Sequence, residues 1–431
     1  MALRSDFLAR LGIPHPIIQA PLAGGGDTPA LVAAVAEAGG LGFIGAAYLT
    51  PEAIRASARE VRQRTQRPFG INLFVPVAVS GDGDTAAALA AVGPFYRELG
   101  LLAPTTLAAD ALRFEDQLAA ALDCGASVFS FTLGCLADDT IRRIKDSGML
   151  VMGTASTVEE ARRLEEGGVD AVVLQGAEAG GHRCTFSVGF DAGMIGTLAL
   201  VPQAADVLRI PVIASGGIMD GRGIAAALAL GADAVQMGTA FLTTAEAGVP
   251  AAYKEAIFAA HAHDTRLTRA FSGRPARGIV NRFMGEIDAA PDAILPFPRQ
   301  NALTRPLRTA AAKAGRAEYL SIWAGQGVGL ARREAAGDLV ERLASEAFWT
   351  VVTMSRRHGT TAPDLMRQVR QDRNHAILAT IRRVIAAAGR RLSLVGAAVG
   401  DGIRIGRDCP TAGDVGLDGV RLAHWFAARL R

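Results

Sequence analysis

The sequence lacks the features that would tie it to a membrane or a nucleic acid. No uncharged apolar run in its 431 residues reaches the roughly 20 residues that a membrane-spanning helix needs. The segment from Met1 to Pro16 has no apolar centre of the kind found in signal peptides. The net charge of +3 is small, and no arginine-rich tract with interleaved aromatics is present. These absences predict a cytoplasmic protein with no membrane and no nucleic-acid partner.

Cysteine is also scarce, and the motifs of several common chemistries are missing. The four cysteines are scattered without a CxxC pair, which is typical of reduced thiols and not of a disulfide framework or a zinc site. No Walker A pattern, HExxH or nucleophile elbow occurs, and no group of His, Cys and Asp has metal-ligand spacing. The sequence therefore predicts no metal site.

Short apolar runs alternate with helical patterns up to about residue 260, which is the signature of βα units around a parallel sheet. Helices are expected over Thr28–Ala38, with Asp27 and Gly39-Gly40 as its caps, and over Thr157–Glu166 and Gly221–Leu230. Eight strands are expected, over Pro16–Ala23, Leu41–Ala46, Phe69–Val75, Ser127–Leu133, Leu150–Thr154, Ala171–Gln175, Pro211–Ser215 and Ala234–Met237.

Eight such units could form either an open doubly wound sheet or a closed barrel. Polar residues and glycines follow many of the strands, whereas in a doubly wound sheet they should concentrate where the strand order reverses. In a barrel, all eight strand ends meet at one mouth. The fold class predicted is therefore α/β, a (β/α)8 TIM barrel.

The rest of the chain, after about residue 260, does not continue the alternation of strands and helices. We expect a barrel domain over 1–349, in which residues 264–310 form a lid-like excursion over the mouth, with helices over Pro306–Ala314 and Arg333–Phe348. Residues 350–431 hold fourteen arginines, six aspartates and no lysine or glutamate, a net charge of +8. They are expected to form a helical C-terminal extension over Leu365–Ala388 and Val420–Leu430. The alternatives are a basic interaction arm and a tail with no selected role.

The run Gln175-Gly176-Ala177-Glu178-Ala179-Gly180-Gly181-His182-Arg183 is the strongest local signal of a site. Its glycines would let the backbone approach a planar ring or a phosphate. Gln175 offers both a donor and an acceptor, which the edge of a flavin ring requires. His182 directly follows a strand, where it could donate to a substrate oxygen or act as a base. The structural alternative is a loop histidine bonded to a carbonyl group.

Glycine pairs also follow the last two strands. Ser215-Gly216-Gly217 comes after strand seven and Gln236-Met237-Gly238-Thr239 after strand eight, where barrels often build a phosphate site. Gln19-Ala20-Pro21-Leu22 ends strand one, and Asn72 interrupts an apolar strand. A buried Asn needs partners, which could be a flavin atom or the backbone.

Together these stretches resemble the nitronate monooxygenase family, formerly called 2-nitropropane dioxygenases, and its bacterial class I branch in particular. The resemblance includes Pro16–Pro21, Pro68–Phe74, Gln175–Arg183 and Trp323–Gly327, and extends over about residues 10 to 348. It implies noncovalently bound FMN and His182 as the catalytic residue. The expected cofactor-binding residues, from the motifs and the resemblance together, are Gln19, Ala20, Pro21, Leu22, Asn72, Gln175, Gly180, Gly181, Ser215, Gly216, Gly217, Gln236, Met237, Gly238 and Thr239.

Three positions depart from the family pattern. Leu22 stands where methionine is usual, Cys184 where glycine is usual, and Phe297 where tyrosine is expected. Phe297 lacks a hydroxyl group that could bond a nitronate oxygen, so substrate choice is less firmly implied than flavin binding.

The reaction implied by the resemblance is FMN-dependent oxidation of alkyl nitronates by O2 to a carbonyl compound and nitrite. His182 would supply a hydrogen bond or a positive charge to the nitro oxygens. The partners expected are a small-molecule substrate and O2, in a monomer or homodimer. Related flavin-dependent enoyl reductases share the Glu-Ala-Gly-Gly-His run, so an NAD(P)H-dependent reductase of enoyl thioesters or quinones is the alternative. A flavin- or phosphate-binding regulatory protein is a third reading.

Overall fold

A computed structural model of the protein describes residues 7–77, 81, 83–107 and 112–357. The two helices expected over Leu365–Ala388 and Val420–Leu430 lie outside these residues. Among the described residues, no helix is both long and apolar enough to cross a membrane.

Eight strands in the described part of the chain alternate with helices, and each one falls inside or within one residue of a predicted strand. They are β1 (Ile17–Gln19), β2 (Gly42–Gly45), β3 (Phe69–Phe74), β4 (Val128–Thr132), β5 (Leu150–Ala155), β6 (Ala171–Gln175), β8 (Val212–Ser215) and β9 (Ala234–Met237). They form one parallel sheet in the order β1-β9-β8-β6-β5-β4-β3-β2. A parallel bridge between Ile18 and Leu41 joins β1 to β2 and closes the circle. The prediction of a (β/α)8 barrel is confirmed.

The α-helices of the described residues surround this sheet, apart from those that belong to the N-terminus and to the segment after β9. Their bounds are Phe7–Leu11, Pro29–Glu37, Pro51–Arg64, Thr85–Glu98, Phe114–Leu122, Asp138–Asp146, Val158–Glu166, Thr197–Val207, Gly221–Ala229, Thr239–Leu242, Ala251–Ala259, Arg282–Asp288, Arg299–Ala314 and Ala336–Arg357.

The period-two alternation of the strands separates two apolar layers. Residues such as Ile71, Val172 and Val235 belong to the large cluster that the strands form with the surrounding helices. The alternate positions, among them Phe43 and Ile213, form a second cluster with Phe7, Leu8 and Leu11 of the N-terminal helix. This helix therefore plugs one end of the barrel, and the other end stays open for polar side chains.

A second, three-stranded sheet has the order β10-β11-β7. Strand β7 (Gly181–His182) branches from the loop after β6, and it pairs antiparallel with β11 (Ala276–Ile279), which pairs with β10 (Thr265–Thr268). The segment that follows the barrel thus reaches back to the histidine run and holds it by main-chain hydrogen bonds.

Three predicted helix boundaries were wrong. The hydroxyl of Thr28, and not Asp27, caps the Pro29–Glu37 helix by accepting from Leu31 N. The helix expected to begin at Pro306 begins at Arg299, with Pro306 in its interior. The helix expected to end at Phe348 runs from Ala336 to Arg357 and buries Val352, so residue 349 lies inside a helix.

Candidate active site

Polar side chains occupy the inward strand positions nearest the open end of the barrel. Ser215 of β8 pairs in register with Gln175 on one side and Gln236 on the other. Asn72 pairs with Ser130, and its amide donates to the Ser130 hydroxyl at 2.9 Å. The partner of this buried Asn is therefore a side chain, and its amide oxygen is left as an acceptor.

These side chains surround a cavity of about 870 Å³. The structure brings together His182 and fourteen of the fifteen predicted cofactor residues in its lining. They are Ala20, Pro21, Leu22, Asn72, Gln175, Gly180, Gly181, Ser215, Gly216, Gly217, Gln236, Met237, Gly238 and Thr239.

Gln19 is the exception. It is fully buried and does not line the cavity, and its side chain accepts from Phe43 N at 2.9 Å and donates to Ala20 O. Its position next to a cofactor-like run misled the prediction, because the alternation of β1 directs it away from the cavity.

Gln175 lines the cavity but is already engaged with the chain. Its amide donates to His182 O at 2.8 Å and accepts from Cys184 N at 3.0 Å. The amide donor and acceptor that suggested contact with a flavin edge therefore both hydrogen-bond to the backbone, at His182 and at Cys184. The Sγ atom of Cys184 lies 3.7 Å from the same carbonyl oxygen.

The two glycines before His182 have different roles. A Cβ atom on Gly180 would lie 2.6 Å from the backbone of Ala324, so this glycine permits the 323–327 segment to pack against the run. Gly181 has φ of +77° and nothing within 4 Å of a Cβ position. Its backbone therefore faces open space, as a ligand-contacting glycine should.

His182 is held at the wall of the cavity by one hydrogen bond and three aromatic rings. Its Nε2 atom lies 2.9 Å from the Ser272 hydroxyl oxygen. The ring centroids of Phe74, Phe297 and Trp323 lie 6.1, 5.9 and 5.6 Å from its own. Burial lowers the pKa of His182 to about 3, with further contributions from Arg274 and Arg308. The imidazole is therefore neutral near pH 7, which favours hydrogen bonding over positive charge as its contribution.

Buried charged residues fix the loop that bears His182. The guanidinium of Arg183 donates to the carbonyl groups of Gln175, Gly176 and Gly193. Arg274 donates to the carbonyl groups on either side of Cys184. Arg183 is completely buried, which no local pattern around the histidine indicated.

Glu178, in the middle of the same run, faces away from the cavity. Its carboxylate accepts from the backbone and the hydroxyl of Thr197, the first residue of the Thr197–Val207 helix. It acts as a helix cap from another loop, a pairing that no local pattern could indicate.

Two arginines of the Arg299–Ala314 helix, Arg305 and Arg308, place positive charge in the cavity lining, and the sequence did not predict them. Arg305 lies over the Tyr48 ring, 4.9 Å from its centroid. Arg308 donates to Asn301 Oδ1 at 2.7 Å, and its buried Nε has no partner among the described residues. Asn301, Arg305 and Arg308 are spaced at i, i+4 and i+7, and all line the cavity. A helix that begins at Arg299 puts these three residues on one face, whereas the predicted start at Pro306 leaves Asn301 and Arg305 outside the helix.

Within the described part of the chain, no carboxylate forms an ion pair with Arg305 or Arg308. The titratable groups close enough to affect the pKa of Arg308 are Tyr48, Tyr96 and Arg305. Burial lowers the pKa of Arg308 to about 10, which still leaves it charged at neutral pH. The Tyr48 hydroxyl is also buried without a partner among the described residues. This end of the cavity is suited to an anion.

Comparisons with known proteins agree with this arrangement. The family model of nitronate monooxygenase matches residues 5–346. A probable nitronate monooxygenase of Staphylococcus saprophyticus is 39% identical over 350 residues, which are 80% of this chain and 98% of that protein. One of Bacillus subtilis is 40% identical over 325 residues, 75% and 93% of the two chains. The chain belongs to the nitronate monooxygenase family.

Solved structures show the same likeness. A nitroalkane oxidase from Streptomyces ansochromogenes is 43% identical with a TM-score of 0.75, covering 82% of this chain and all of that one. FabK from Thermotoga maritima is 32% identical with a TM-score of 0.65, covering 82% and 98%. Nitronate monooxygenases are flavin-dependent oxidoreductases, so this chain is an enzyme of oxidative nitronate or nitroalkane chemistry.

The residues present fit a flavin. The donors and acceptors of Asn72, Ser215 and Gln236 face the cavity at its polar rim, as the edge of an isoalloxazine ring requires. The buried hydroxyl of Thr132, also in the lining, has no partner among the described residues. Gly217, with φ of +71°, and Gly238 provide backbone without side chains at the neighbouring strand ends.

Proposed function

We propose that this nitronate monooxygenase family member binds FMN and uses O2 to convert alkyl nitronates into a carbonyl compound and nitrite. The strongest support is that one cavity combines two features. Its rim carries polar side chains that fit a flavin ring, and at its other end two arginines have no carboxylate partner among the described residues. His182 lies between aromatic rings in the same cavity.

The phosphate of FMN is assigned to the glycine runs after β8 and β9. Gly216, Gly217, Gly238 and Thr239 would receive it, because two neighbouring strand ends with small residues expose backbone N–H groups. The Gly221–Ala229 helix does not contribute its N-terminus, since the Asp220 carboxylate already accepts from Arg222 N and Gly223 N. FMN bound here would supply the redox chemistry, which no side chain of the cavity can perform.

The protein's own part is to bind and orient the nitronate. A nitronate is an anion, and Arg305 and Arg308 provide positive charge that no acidic side chain cancels among the described residues. In a cavity with little water such charges interact strongly with an anion. The Tyr48 hydroxyl could donate to a nitro oxygen in place of the tyrosine that Phe297 replaces.

His182 then acts as a neutral hydrogen-bonding group. Because the pKa of its imidazole is about 3, it orients the substrate without adding charge. For a neutral nitroalkane it could accept the α-proton, and the imidazolium formed would be stabilised by the nitronate anion next to it. The aromatic walls exclude water from the reacting atoms.

The alternative reaction is NAD(P)H-dependent reduction of an enoyl thioester or quinone on the same scaffold. It would need the flavin to be reduced by a nicotinamide. The higher identity to the nitroalkane oxidase than to FabK favours the monooxygenase.

The test uses the purified full chain and two variants. Flavin released by heating is identified by mass, and nitrite is measured after an alkyl nitronate and air are added. His182→Asn should retain FMN and lose about 100-fold or more of its turnover. The control Asp292→Asn changes an exposed residue that does not line the cavity and should behave as wild type. Undiminished turnover in His182→Asn would refute the assignment.

A further inference from the structure

Three side chains with metal-binding atoms converge on a short turn outside the cavity. His261, His263 and Asp264 lie between the Ala251–Ala259 helix and β10, and their ligand atoms all lie within 4.8 Å of one another. His261 Nδ1 is 3.5 Å from Asp264 Oδ2, and His263 Nε2 is 3.6 Å from Asp264 Oδ1. In a tetrahedral zinc site with bonds of about 2.0–2.1 Å, neighbouring ligand atoms are roughly 3.4 Å apart. The carboxylate is thus already close to the required distance from both rings.

The turn holds this arrangement before any ion is bound. The backbone N–H of His261 donates to Asp264 Oδ2 at 2.7 Å, and Val280 N donates to Asp264 O at 2.9 Å. The two imidazole rings are nearly parallel, with centroids 5.5 Å apart. The carboxylate is therefore fixed by the turn, and the two exposed imidazoles orient when the ion binds.

We propose that His261, His263 and Asp264 bind a divalent transition-metal ion of the Zn²⁺ class, with water completing the coordination. Two imidazoles and one carboxylate suit zinc, nickel, cobalt or copper, whereas Mg²⁺ and Ca²⁺ prefer oxygen ligands alone. The side chains of His261 and His263 are 75% and 82% exposed, so the ion can enter and exchange freely.

This site is separate from the catalytic cavity, since none of the three residues lines it. It lies instead at the start of β10, an edge strand. Strand β10 pairs with β11, and Ala276 of β11 pairs with His182. A bound ion would fix the turn that directly precedes the edge strand of the sheet that holds the catalytic histidine. Because the ion prefers the folded arrangement, it should also raise the melting temperature.

The first arm of the experiment measures Zn²⁺ binding to the full chain by isothermal titration calorimetry at neutral pH. Wild type is compared with the double variant His261→Ala/His263→Ala, so that the other five histidines are present in both proteins. Wild type should bind one more Zn²⁺ ion than the double variant. Co²⁺ added to wild type should give visible absorption bands that the double variant lacks.

A second arm separates ligand loss from damage to the fold. Asp264→Asn retains an oxygen that can accept from His261 N but loses the ligand's charge, and it should weaken Zn²⁺ binding at least tenfold. Asp292→Asn, a carboxylate on another turn, should bind as wild type. All variants should melt like wild type without metal, because the replaced histidines are exposed. Equal Zn²⁺ stoichiometry and an equal Zn²⁺-induced shift in melting temperature for wild type and the double variant would overturn the proposal.

Discussion

The Nε2 atom of His182 lies 2.9 Å from the Oγ atom of Ser272. The Ser272 hydroxyl also lies 3.1 Å from the buried carbonyl oxygen of Arg274, to which it can donate its single proton. If it donates to His182 Nε2 instead, the ring proton stays on Nδ1, which can then donate to a nitronate oxygen in the cavity. The serine thereby selects one tautomer of the neutral imidazole.

The first prediction concerns this hydrogen bond. Ser272→Ala should lower kcat/KM for the nitronate about tenfold, since one hydrogen bond of roughly 1.4 kcal/mol no longer orients the ring. Ser272→Thr keeps a hydroxyl and should recover most of the loss. The two variants are compared in steady-state nitrite assays. Equal rates for Ser272→Ala and wild type would show that the serine does not orient His182.

A second prediction concerns the cationic end of the cavity. Arg308→Met and Arg305→Met should each raise KM for the anionic nitronate about tenfold, which corresponds to about 1.4 kcal/mol of lost attraction. The effect on kcat should be smaller, because the charges bind substrate and do not react.

Arg299→Met serves as the control for these two variants, since it removes an arginine of the same helix that does not line the cavity. KM values that are unchanged in both cavity variants would contradict the role assigned to these arginines.

A third prediction follows from Asp27, which is half-buried in the lining of the cavity and accepts from Leu22 N and Gly45 N. Burial raises the pKa of Asp27 from 3.8 to about 7 in spite of these hydrogen bonds. Between pH 4 and 7 the folded chain therefore holds a proton that the unfolded chain has lost, and the free energy of unfolding decreases as the pH rises. Asp27→Asn removes this titration.

The measurement is denaturant unfolding of wild type and Asp27→Asn at pH 5 and pH 8. The stability of wild type relative to the variant should decrease between these values, and Asp292→Asn should show no such change. A constant difference between wild type and Asp27→Asn would show that the carboxyl does not titrate in this range.

A fourth prediction tests packing inside the barrel. A Cβ atom on Gly70 would lie 2.3–2.6 Å from three atoms of the Phe43 ring. Gly70→Ala should therefore cost about 1–3 kcal/mol of unfolding free energy, as overpacked cores do. Phe43→Leu in the same chain should restore part of it. Gly285→Ala, where a Cβ atom would meet nothing within 4 Å, should cost nothing.

The barrel could be predicted because its pattern is local and repeated. Each strand is a short apolar run such as Ala171–Gln175, and the polar residue at its end points inward by simple alternation. The same alternation places Asn72 and Gln236 at the mouth. Fourteen of the fifteen predicted cofactor residues therefore line one cavity.

What the sequence could not predict depends on contacts between distant segments. Gln175 was expected to face a ligand, but its amide holds the backbone at His182 and Cys184. Arg305 and Arg308 were missed because the proline pattern predicts a helix start at Pro306, although this residue lies in the interior of a longer helix. The run His261-Ala262-His263-Asp264, by contrast, is local, and the prediction of no metal site overlooked it.

An anaerobic flavin spectrum distinguishes the two candidate reactions. Propionate 3-nitronate and NADH are added separately to the purified protein in the absence of oxygen, and air is then admitted. If the chain oxidises nitronates, the nitronate alone decreases the absorbance of the oxidised flavin and nitrite appears with air. Loss of the absorbance with NADH alone, and none with the nitronate, would contradict the proposed reaction and assign the protein to the reductase chemistry.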